Sequence, residues 1–352
     1  MTPVSSRSST DIYVVPFGSL GLDDVIHVGG KCAHLGDLMQ AGFPVPPGYA
    51  VTTRGFEEVL QGHLGELLAG IDPDDVPALE REAVRVRTAV ESLDVPSELA
   101  GAIAGGYEQL AADLGLAEPP VAVRSSAVAE DAADASFAGM QSTYLWLRGA
   151  EEVLDGVRRC WASYFNAEAL SYRAQHGGKS GMSVAVQYMV DARVAGVMFT
   201  LNPVSGDPSS IAIEASYGLG VTVVGGEVTP DSYLFSKVTR EVTRSEIGTK
   251  EVECVADHEH GGTVNREVEE ERRGCPCLTP DEIGRLADLG RSVERHYGGP
   301  QDLEWAIDRG LDEIFLLQAR PETVWSHKPK TVVAESPLAA IAATFMGGRT
   351  TR

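Results

Sequence analysis

The stretch QDLEWAIDRGLDEIFLLQAR, residues 301–320, constrains the fold of this chain more than any other segment. Polar and apolar residues alternate along its first part, which is the period of a β-strand with one buried face. Asp308-Arg309-Gly310 is typical of a tight turn, and a second strand-like run follows it. The segment therefore predicts an antiparallel β-hairpin.

Alternation places four polar side chains on one face of this hairpin: Asp302, Glu304, Gln318 and Arg320. The simplest register puts Ile307 opposite Glu313. Asp302 would then lie opposite Gln318, and Glu304 would be a diagonal neighbour of that amide. Carboxylate and amide oxygens are ligands for Mg²⁺, and a guanidinium suits phosphate oxygens. The face is a candidate nucleotide site, and the alternative is a solvated surface that carries an ion pair.

Two further cations are candidates for phosphate binding. Lys31 follows Val28-Gly29-Gly30 at a predicted helix start, where free N–H groups and the helix dipole favour an anion. The Walker A pattern fails here, since no glycine precedes Gly30 by five positions and Cys32 replaces Ser or Thr. Arg124 lies within the predicted strand VAVRSS, and the small residues that follow this strand predict a loop.

Helices and strands are both predicted elsewhere in the chain. Helices are predicted for four segments: KCAHLGDLMQ ending at Gly42, residues 77–115 with a break at Pro96, residues 150–175, and the stretch after the capping box Thr279-Pro280-Asp281-Glu282. Strands are predicted for VAVRSS, SVAVQYMV, VAGVMFTL and IAIEAS. The turn Asp191-Ala192-Arg193 is expected to join SVAVQYMV and VAGVMFTL as a hairpin.

The charge of the chain argues against several classes of partner. It has 29 Lys and Arg against 51 Asp and Glu, a net charge of −22. Such a chain repels nucleic acid and anionic membranes unless it builds a basic patch, and no run of Lys or Arg is present. The amino terminus lacks a signal-peptide core, and the apolar stretches are shorter than a bilayer span. We expect a soluble cytoplasmic protein.

The five cysteines do not suggest a disulfide framework, because their number is odd and the chain is long. Cys254, Cys275 and Cys277 lie near His258 and His260 in the sequence and could supply zinc ligands. However, Cys-x-Cys with a proline between is not a usual zinc-finger spacing. The alternative is a set of free thiols in a charged surface segment.

Five segments resemble, in order and spacing, the amino-terminal nucleotide-binding domain of phosphoenolpyruvate synthase, which pyruvate phosphate dikinase and rifampin phosphotransferase share. They are GGKCAHLGDLMQAGFPVPPGYAVTT, VAVRSSAVAEDAADASFAGMQSTY, GVMFTLNPVSGD, IEASYGLGVTVVGGEVTPDSY, and HYGGPQDLEWAI with LLQARPET. The resemblance implies an α+β, ATP-grasp fold in which ATP binds between the mixed or antiparallel sheets of two lobes. The lobes would be residues 1–190 and 191–325, and residues 326–352 would form a flexible tail or docking linker.

The resemblance also implies roles for individual residues. Lys31, Arg124 and Arg320 would hold the ATP phosphates during transfer, and Glu304 and Gln318 would bind Mg²⁺. A mobile loop at residues 139–143 would close over the phosphates, and segment 187–190 would receive adenine. The remaining nucleotide contacts would come from that loop, that segment and one acidic position: Gly139, Gln141, Thr143, Gln187, Met189, Val190 and Glu214.

The family normally continues into a domain with a phosphorylatable histidine, often preceded by Thr-Ser, and then into an acceptor domain. None of the eight histidines here follows Thr-Ser, so we expect the phosphohistidine on a partner subunit, as in split aryl phosphate synthases. The β-phosphate of ATP would then reach a small acceptor such as a phenol or a cresol, giving AMP and phosphate. The alternatives are a stand-alone ATP-grasp kinase or ligase making ADP, and a non-catalytic ATP-binding regulatory module.

Overall fold

The computed structural model of the protein describes residues 13–69, 71–72, 75–128, 142–168, 170–171, 181–257 and 259–325. The strands in chain order are β1 (Val14–Pro16), β2 (Gly48–Val51), β3 (Val121–Ala127), β4 (Thr143–Leu147), β5 (Met182–Tyr188), β6 (Ala192–Phe199), β7 (Ser210–Tyr217), β8 (Asp231–Ser236), β9 (Val242–Glu246), β10 (Val252–Ala256), β11 (Thr263–Glu267), β12 (Gln301–Asp308) and β13 (Ile314–Pro321). The helices are α1 (Val25–Gln40), α2 (Thr53–Leu60), α3 (Leu64–Leu67), α4 (Val76–Glu91), α5 (Ser97–Leu114), α6 (Gly149–Ser163), α7 (Val221–Val224), α8 (Glu270–Arg273) and α9 (Pro280–Tyr297).

Strands β1 to β5 form an antiparallel sheet in the order β1-β2-β5-β3-β4. Alternation along β3 gives the sheet two different faces. Val121 and Val123 pack into an apolar core with α2, α4, α5 and α6, whereas Ala122 and Arg124 point to the opposite side. The predicted strand VAVRSS is thus confirmed, and Arg124 lies on the face away from the helices.

Strands β6 to β9, β12 and β13 form a second antiparallel sheet in the order β13-β12-β6-β7-β8-β9. One face carries large buried residues such as Met198 and Trp305, and these belong to the same core as Leu286 of α9. On the other face of β12, Asp302 and Glu304 are partly exposed. Strands β10 and β11 form a separate hairpin. The α+β class predicted from the sequence is confirmed.

Helix α1 lies against both sheets. Its buried residues Cys32 and Leu35 belong to the same apolar core as Ala185 of β5 and Leu316 of β13. Burying apolar area of this kind contributes roughly 25 cal/mol per Å², which favours a fixed position of the helix between the sheets. The first turn of α1 is thereby placed near the junction of the two sheets.

The hairpin predicted around Asp191-Ala192-Arg193 is wrong. Strand β5 pairs with β2 and β3 in the first sheet, while β6 pairs with β12 and β7 in the second. The connecting backbone is bound to other segments, since Met189 N–H donates to Pro120 O and Arg309 N–H donates to Asp191 O. Alternation and a turn signal identified the two strands, but they do not determine which other strands pair with them.

The helix predictions are largely confirmed. Pro96 separates α4 from α5, and α9 begins with the predicted capping box, in which the side chains of Thr279 and Glu282 accept each other's backbone N–H. Helix α6 ends at Ser163, earlier than predicted, and the next residue Tyr164 is buried in the apolar core.

The strands of the first sheet come from residues 14–188 and those of the second from residues 192–321. The division into two nucleotide-binding lobes at residue 190 stays a prediction, and the proposed tail at 326–352 lies outside the described residues. Within the described ranges, every helix is too short or too polar to cross a lipid bilayer.

Candidate functional site

The hairpin of β12 and β13 is present, but its register differs from the predicted one. Ile307 lies opposite Ile314 and not opposite Glu313. The turn is held by the carboxylate of Asp308, which accepts hydrogen bonds from the N–H groups of Gly310 and Leu311, both at 2.8 Å. Such a side-chain-to-backbone turn sets the loop length, and residue alternation does not encode it.

A β-bulge beside Glu304 shifts the pairing by one more residue. Glu304 therefore lies directly opposite Gln318, and Asp302 lies directly opposite Arg320. The predicted pairing of Asp302 with Gln318 is wrong, although the four side chains do share one face. A bulge inserts an extra residue in one strand and re-aims its neighbours, which is why a regular register could not predict these pairs.

The same face continues across the sheet to Glu214. Glu304 lies opposite Val197 of β6, and Val197 lies opposite Glu214 of β7. Directly opposed residues in antiparallel strands point to the same side, with strands about 4.8 Å apart. Glu214 thus lies two strands from Glu304 on the face that carries Gln318.

Arg124 connects the two sheets at this face. Its Nη2 donates to Glu304 Oε2 at 2.7 Å and to Gln318 Oε1 at 2.9 Å, and its Nη1 donates to Leu317 O at 3.0 Å. The Arg124 side chain is 12% exposed. Hydrogen bonds in which the donor or the acceptor is ionised are shorter and stronger than those between neutral groups, so the Arg124 guanidinium orients all three partners.

The donor set opposite Arg124 fits a divalent cation. A carboxylate oxygen of Glu304 and the amide oxygen of Gln318 both lie within hydrogen-bond distance of one atom, Arg124 Nη2. Two oxygen donors that converge on a single positively charged point have the hard chemistry that Mg²⁺ prefers when waters or phosphates complete its shell. The two residues predicted as metal ligands are therefore brought together.

Arg320 is held by Asp302. Its Nε and Nη2 both contact Asp302 Oδ2, at 2.7 and 2.6 Å. The Arg320 side chain is 53% exposed, whereas that of Asp302 is 12% exposed. Burial raises the pKa of Asp302, Arg320 opposes that rise, and the nearby Glu304 adds to it. A guanidinium anchored on one side and open to solvent on the other can accept an anion.

Lys31 lies in the first turn after a break in α1. Gly29 has a φ of 70°, outside the helical region, so the helix effectively restarts beside it. The Lys31 side chain is buried, and its Nζ donates to Ser125 O at 3.0 Å. Ser125 adjoins Arg124 in β3, so Lys31 of α1 contacts the strand that carries the other predicted phosphate-binding cation. The predicted position at a helix start is confirmed.

Substitution of Gly29 by alanine is expected to destabilise the protein by more than about 2 kcal/mol. The left-handed φ alone costs a side-chain-bearing residue about 1–2 kcal/mol, and a Cβ at this position would overlap the carbonyl oxygen of Ser126. Urea denaturation measures the effect. Gly284→Ala in α9 is the matched control, since nothing lies within 4 Å of its added Cβ and alanine raises helix propensity. Equal stability of the two variants would contradict this account.

The predicted adenine segment lies at the end of β5. Gln187 is buried, and its Nε2 donates to Pro46 O at 3.4 Å. Met189 and Val190 belong to a small apolar cluster, and an open groove of about 700 Å³ lies beside Met189. The N–H of Met189 already donates to Pro120 O, so adenine could not use that amide without breaking this bond.

The other predicted contacts are only partly described. Thr143 lies opposite Arg124 in the pairing of β4 with β3. Gly139 and Gln141 lie outside the described residues. The predicted closure of loop 139–143 stays a prediction.

The cysteines considered as zinc ligands lie in different surroundings. Cys254 belongs to the apolar cluster with Met189, and Cys277 belongs to the core with Trp305. Burial raises the pKa of both thiols, which opposes the thiolate form that binds zinc. Cys275 is exposed, and His258 lies outside the described residues.

Three parts of this site were missed from the sequence. The backbone carbonyl groups of Leu317 and Ser125 accept hydrogen bonds from the candidate phosphate-binding residues Arg124 and Lys31. Every residue has such a carbonyl, so the residue type does not indicate it. The third is the anchoring function of Asp302, which alternation grouped with the metal ligands. Only the observed register shows that it faces Arg320.

The chain matches the family model described as pyruvate phosphate dikinase, AMP/ATP-binding domain, over residues 25–337. A probable phosphoenolpyruvate synthase from Methanothermobacter thermautotrophicus is 44% identical over 319 aligned residues, and the match covers 88% of this chain and 46% of that protein. Phosphoenolpyruvate synthase from Pyrococcus furiosus is 40% identical over 368 residues, covering 92% of this chain and 45% of that protein. The chain spans less than half the length of these curated relatives.

Among solved structures, D-alanyl-alanine synthetase A from Vibrio cholerae is similar at 10% identity over 84% of this chain and 58% of that chain, with a TM-score of 0.27. A likeness at that score carries no argument about this chain. The family match and the two antiparallel sheets with helices support the α+β, ATP-grasp fold expected from the sequence.

Proposed function

We propose, because the chain belongs to the pyruvate phosphate dikinase AMP/ATP-binding domain family, that it is the catalytic ATP-binding part of a dikinase-type phosphotransferase. In this proposal it binds ATP with Mg²⁺ and presents the phosphates to a histidine on a partner subunit. The β-phosphate passes through that histidine to a small acceptor. ATP, water and the acceptor give AMP, inorganic phosphate and the phosphorylated acceptor.

The contact of Arg124 with Glu304 and Gln318 carries the proposal. It joins the Arg124 guanidinium of one sheet, a group that suits phosphate, to two oxygen atoms of the other sheet, which suit a metal ion. The alternative for this hairpin is a solvated surface ion pair. Such a pair would be exposed, whereas the Arg124 side chain is 12% exposed. Burial of charged groups costs free energy of solvation unless ion pairs and hydrogen bonds compensate for it. Clusters of partly buried charged groups are typical of functional sites.

Each residue has a role that follows from its position. Arg124 of β3 and Lys31 of α1, which contacts β3 at Ser125, would neutralise phosphate oxygens from one side, and Arg320 would do so from the other. Glu304 and Gln318 would hold Mg²⁺, which supplies charge stabilisation on the phosphate oxygens when bound. Phosphoryl transfer depends mainly on positioning and charge neutralisation, so the protein needs no nucleophile of its own.

The acceptor and the carrier histidine belong to the proposal as well. None of the eight histidines follows Thr-Ser, which supports a carrier histidine outside these 352 residues. The resemblance to split aryl phosphate synthases suggests a phenol or a cresol as the acceptor. Relatives named phosphoenolpyruvate synthase make pyruvate the competing acceptor in a test.

Labelled ATP distinguishes the proposal from its alternatives. The purified chain is mixed with a candidate histidine-bearing subunit and with ATP that carries ³²P at either the β or the γ position. We expect acid-labile label on the second polypeptide from β-labelled ATP, AMP as the nucleotide product, and γ-label released as inorganic phosphate. Phenol, a cresol and pyruvate are then compared as final acceptors.

Each other outcome excludes a part of the proposal. Release of ADP with transfer of the γ-label identifies an ordinary kinase or ligase. ATP binding without turnover in the presence of the partner identifies a regulatory module. Label that accumulates on the chain itself would overturn the assignment of the carrier histidine to a separate subunit.

A further inference from the structure

Arg124 and the expected metal ion require the same two oxygen atoms. We infer that in the nucleotide-free chain Arg124 closes the cation site formed by Glu304 and Gln318, so that a divalent cation enters with the nucleotide and not before it. This inference rests on the proposed function and adds an order of binding to it. It assigns Arg124 a second role, as a gate on the metal site, besides contact with phosphate.

The geometry excludes simultaneous occupancy. Arg124 Nη2 lies 2.7 Å from Glu304 Oε2 and 2.9 Å from Gln318 Oε1. A Mg²⁺ ion bound to both oxygens would lie about 2.1 Å from each. The position between these oxygens is already filled by a nitrogen atom, so the guanidinium must leave before the ion binds both ligands.

A third hydrogen bond holds the guanidinium in this position. Arg124 Nη1 donates at 3.0 Å to the carbonyl oxygen of Leu317, the residue that the β-bulge inserts between the pairs Glu304–Gln318 and Trp305–Leu316. The gate is therefore attached both to the metal-binding oxygens and to the backbone of the strand that carries one of them. Departure of Arg124 breaks all three bonds together.

Charge reinforces the steric block. A guanidinium keeps its positive charge at all accessible pH values, so it cannot make way by losing a proton. Like charges repel, and a divalent ion doubles the repulsion that a single positive charge would meet at the same distance. Free Mg²⁺ offers Arg124 no replacement partner when it displaces the guanidinium.

A nucleotide offers that replacement. Phosphate oxygens bind guanidinium groups through paired hydrogen bonds. When a triphosphate binds together with its metal ion, its oxygens therefore replace Glu304 as acceptors of the Arg124 hydrogen bonds. The Nε of Arg124 is buried and has no hydrogen-bond partner among the described residues. The arrangement therefore leaves a donor for which a phosphate oxygen is a suitable acceptor.

Mn²⁺ titration without nucleotide tests the gate directly, with electron paramagnetic resonance reporting the free ion. We expect weak binding to the wild-type chain and at least about tenfold tighter binding to Arg124→Met, which removes the charge and keeps an unbranched side chain. The gain should vanish in the double variant Arg124→Met with Glu304→Gln. Equal affinity of wild type and Arg124→Met would overturn the inference.

Two controls keep the test independent of net charge and of folding. Arg240→Met removes one positive charge from an exposed pair with Asp288 and should leave Mn²⁺ affinity unchanged; a similar gain there would assign the effect to overall charge. Tight binding of Mn²⁺ to the nucleotide-free wild-type chain would show an open site and would refute the gate even if Arg124→Met failed to fold.

The same titration with a non-hydrolysable ATP analogue separates this inference from the proposed function. Tight joint binding of Mn²⁺ and the analogue to wild type, with weak binding of Mn²⁺ alone, supports both. Tight binding of Mn²⁺ alone, together with normal binding of the analogue, refutes only the gate. Failure of the analogue to bind refutes the proposed function, whatever Arg124→Met does to Mn²⁺.

Discussion

Replacement of Arg320 by alanine is expected to slow phosphoryl transfer by about 30- to 1,000-fold, which corresponds to about 2–4 kcal/mol of transition-state stabilisation. The guanidinium is held by Asp302 through two contacts to one carboxylate oxygen, yet half of the side chain is open to solvent. In the proposed function it is thus oriented in advance for negative charge that would develop on the transferred phosphoryl group. The rate of AMP formation with the partner subunit and saturating ATP measures the effect.

Arg309→Ala is the matched control, because Arg309 lies in the turn of the same hairpin and contacts Asp191 and the backbone of Ala192. It should retain the wild-type rate. The loss in Arg320→Ala should appear mainly in kcat, since an interaction made only in the transition state does not change ground-state binding. A wild-type rate in Arg320→Ala, or an equal loss in Arg309→Ala, would refute the assigned role.

Replacement of Lys250 by methionine is expected to lower the free energy of unfolding by about 3–5 kcal/mol. Lys250 and Asp231 form an ion pair in which both side chains are fully buried. The Asp231 carboxylate also accepts hydrogen bonds from the N–H groups of Gly248 and Cys277. Removal of the ammonium leaves a buried carboxylate without its charge partner, and urea denaturation measures the cost.

Arg240→Met provides the comparison, because it breaks an ion pair in which both side chains are about half exposed. Exposed pairs of this kind contribute less than about 1 kcal/mol. Adding Asp231→Asn to Lys250→Met should restore part of the lost stability, since it removes the uncompensated charge. If Lys250→Met cost no more than Arg240→Met, the buried pair would not stabilise the fold as proposed.

Much of the candidate site could be predicted from the sequence because alternation assigns each residue to a face. It grouped Asp302 and Glu304 with Gln318 and Arg320 correctly. Caps and prolines likewise predicted the breaks at Pro96 and Thr279, because these signals act within one turn of the chain.

The amino-acid sequence by itself determined on which face of a strand the polar side chains lie, where the long helices begin, and which cations lie in a strand or at the start of a helix. These properties are local, since each depends on residues within a few positions of one another. Only the tertiary structure decided that β5 and β6 join different sheets, and that a bulge places Glu304 opposite Gln318. It also decided that Arg124 meets Glu304, a residue 180 positions away. Such pairs depend on how both sheets pack against α1, and no local pattern specifies a partner at that distance.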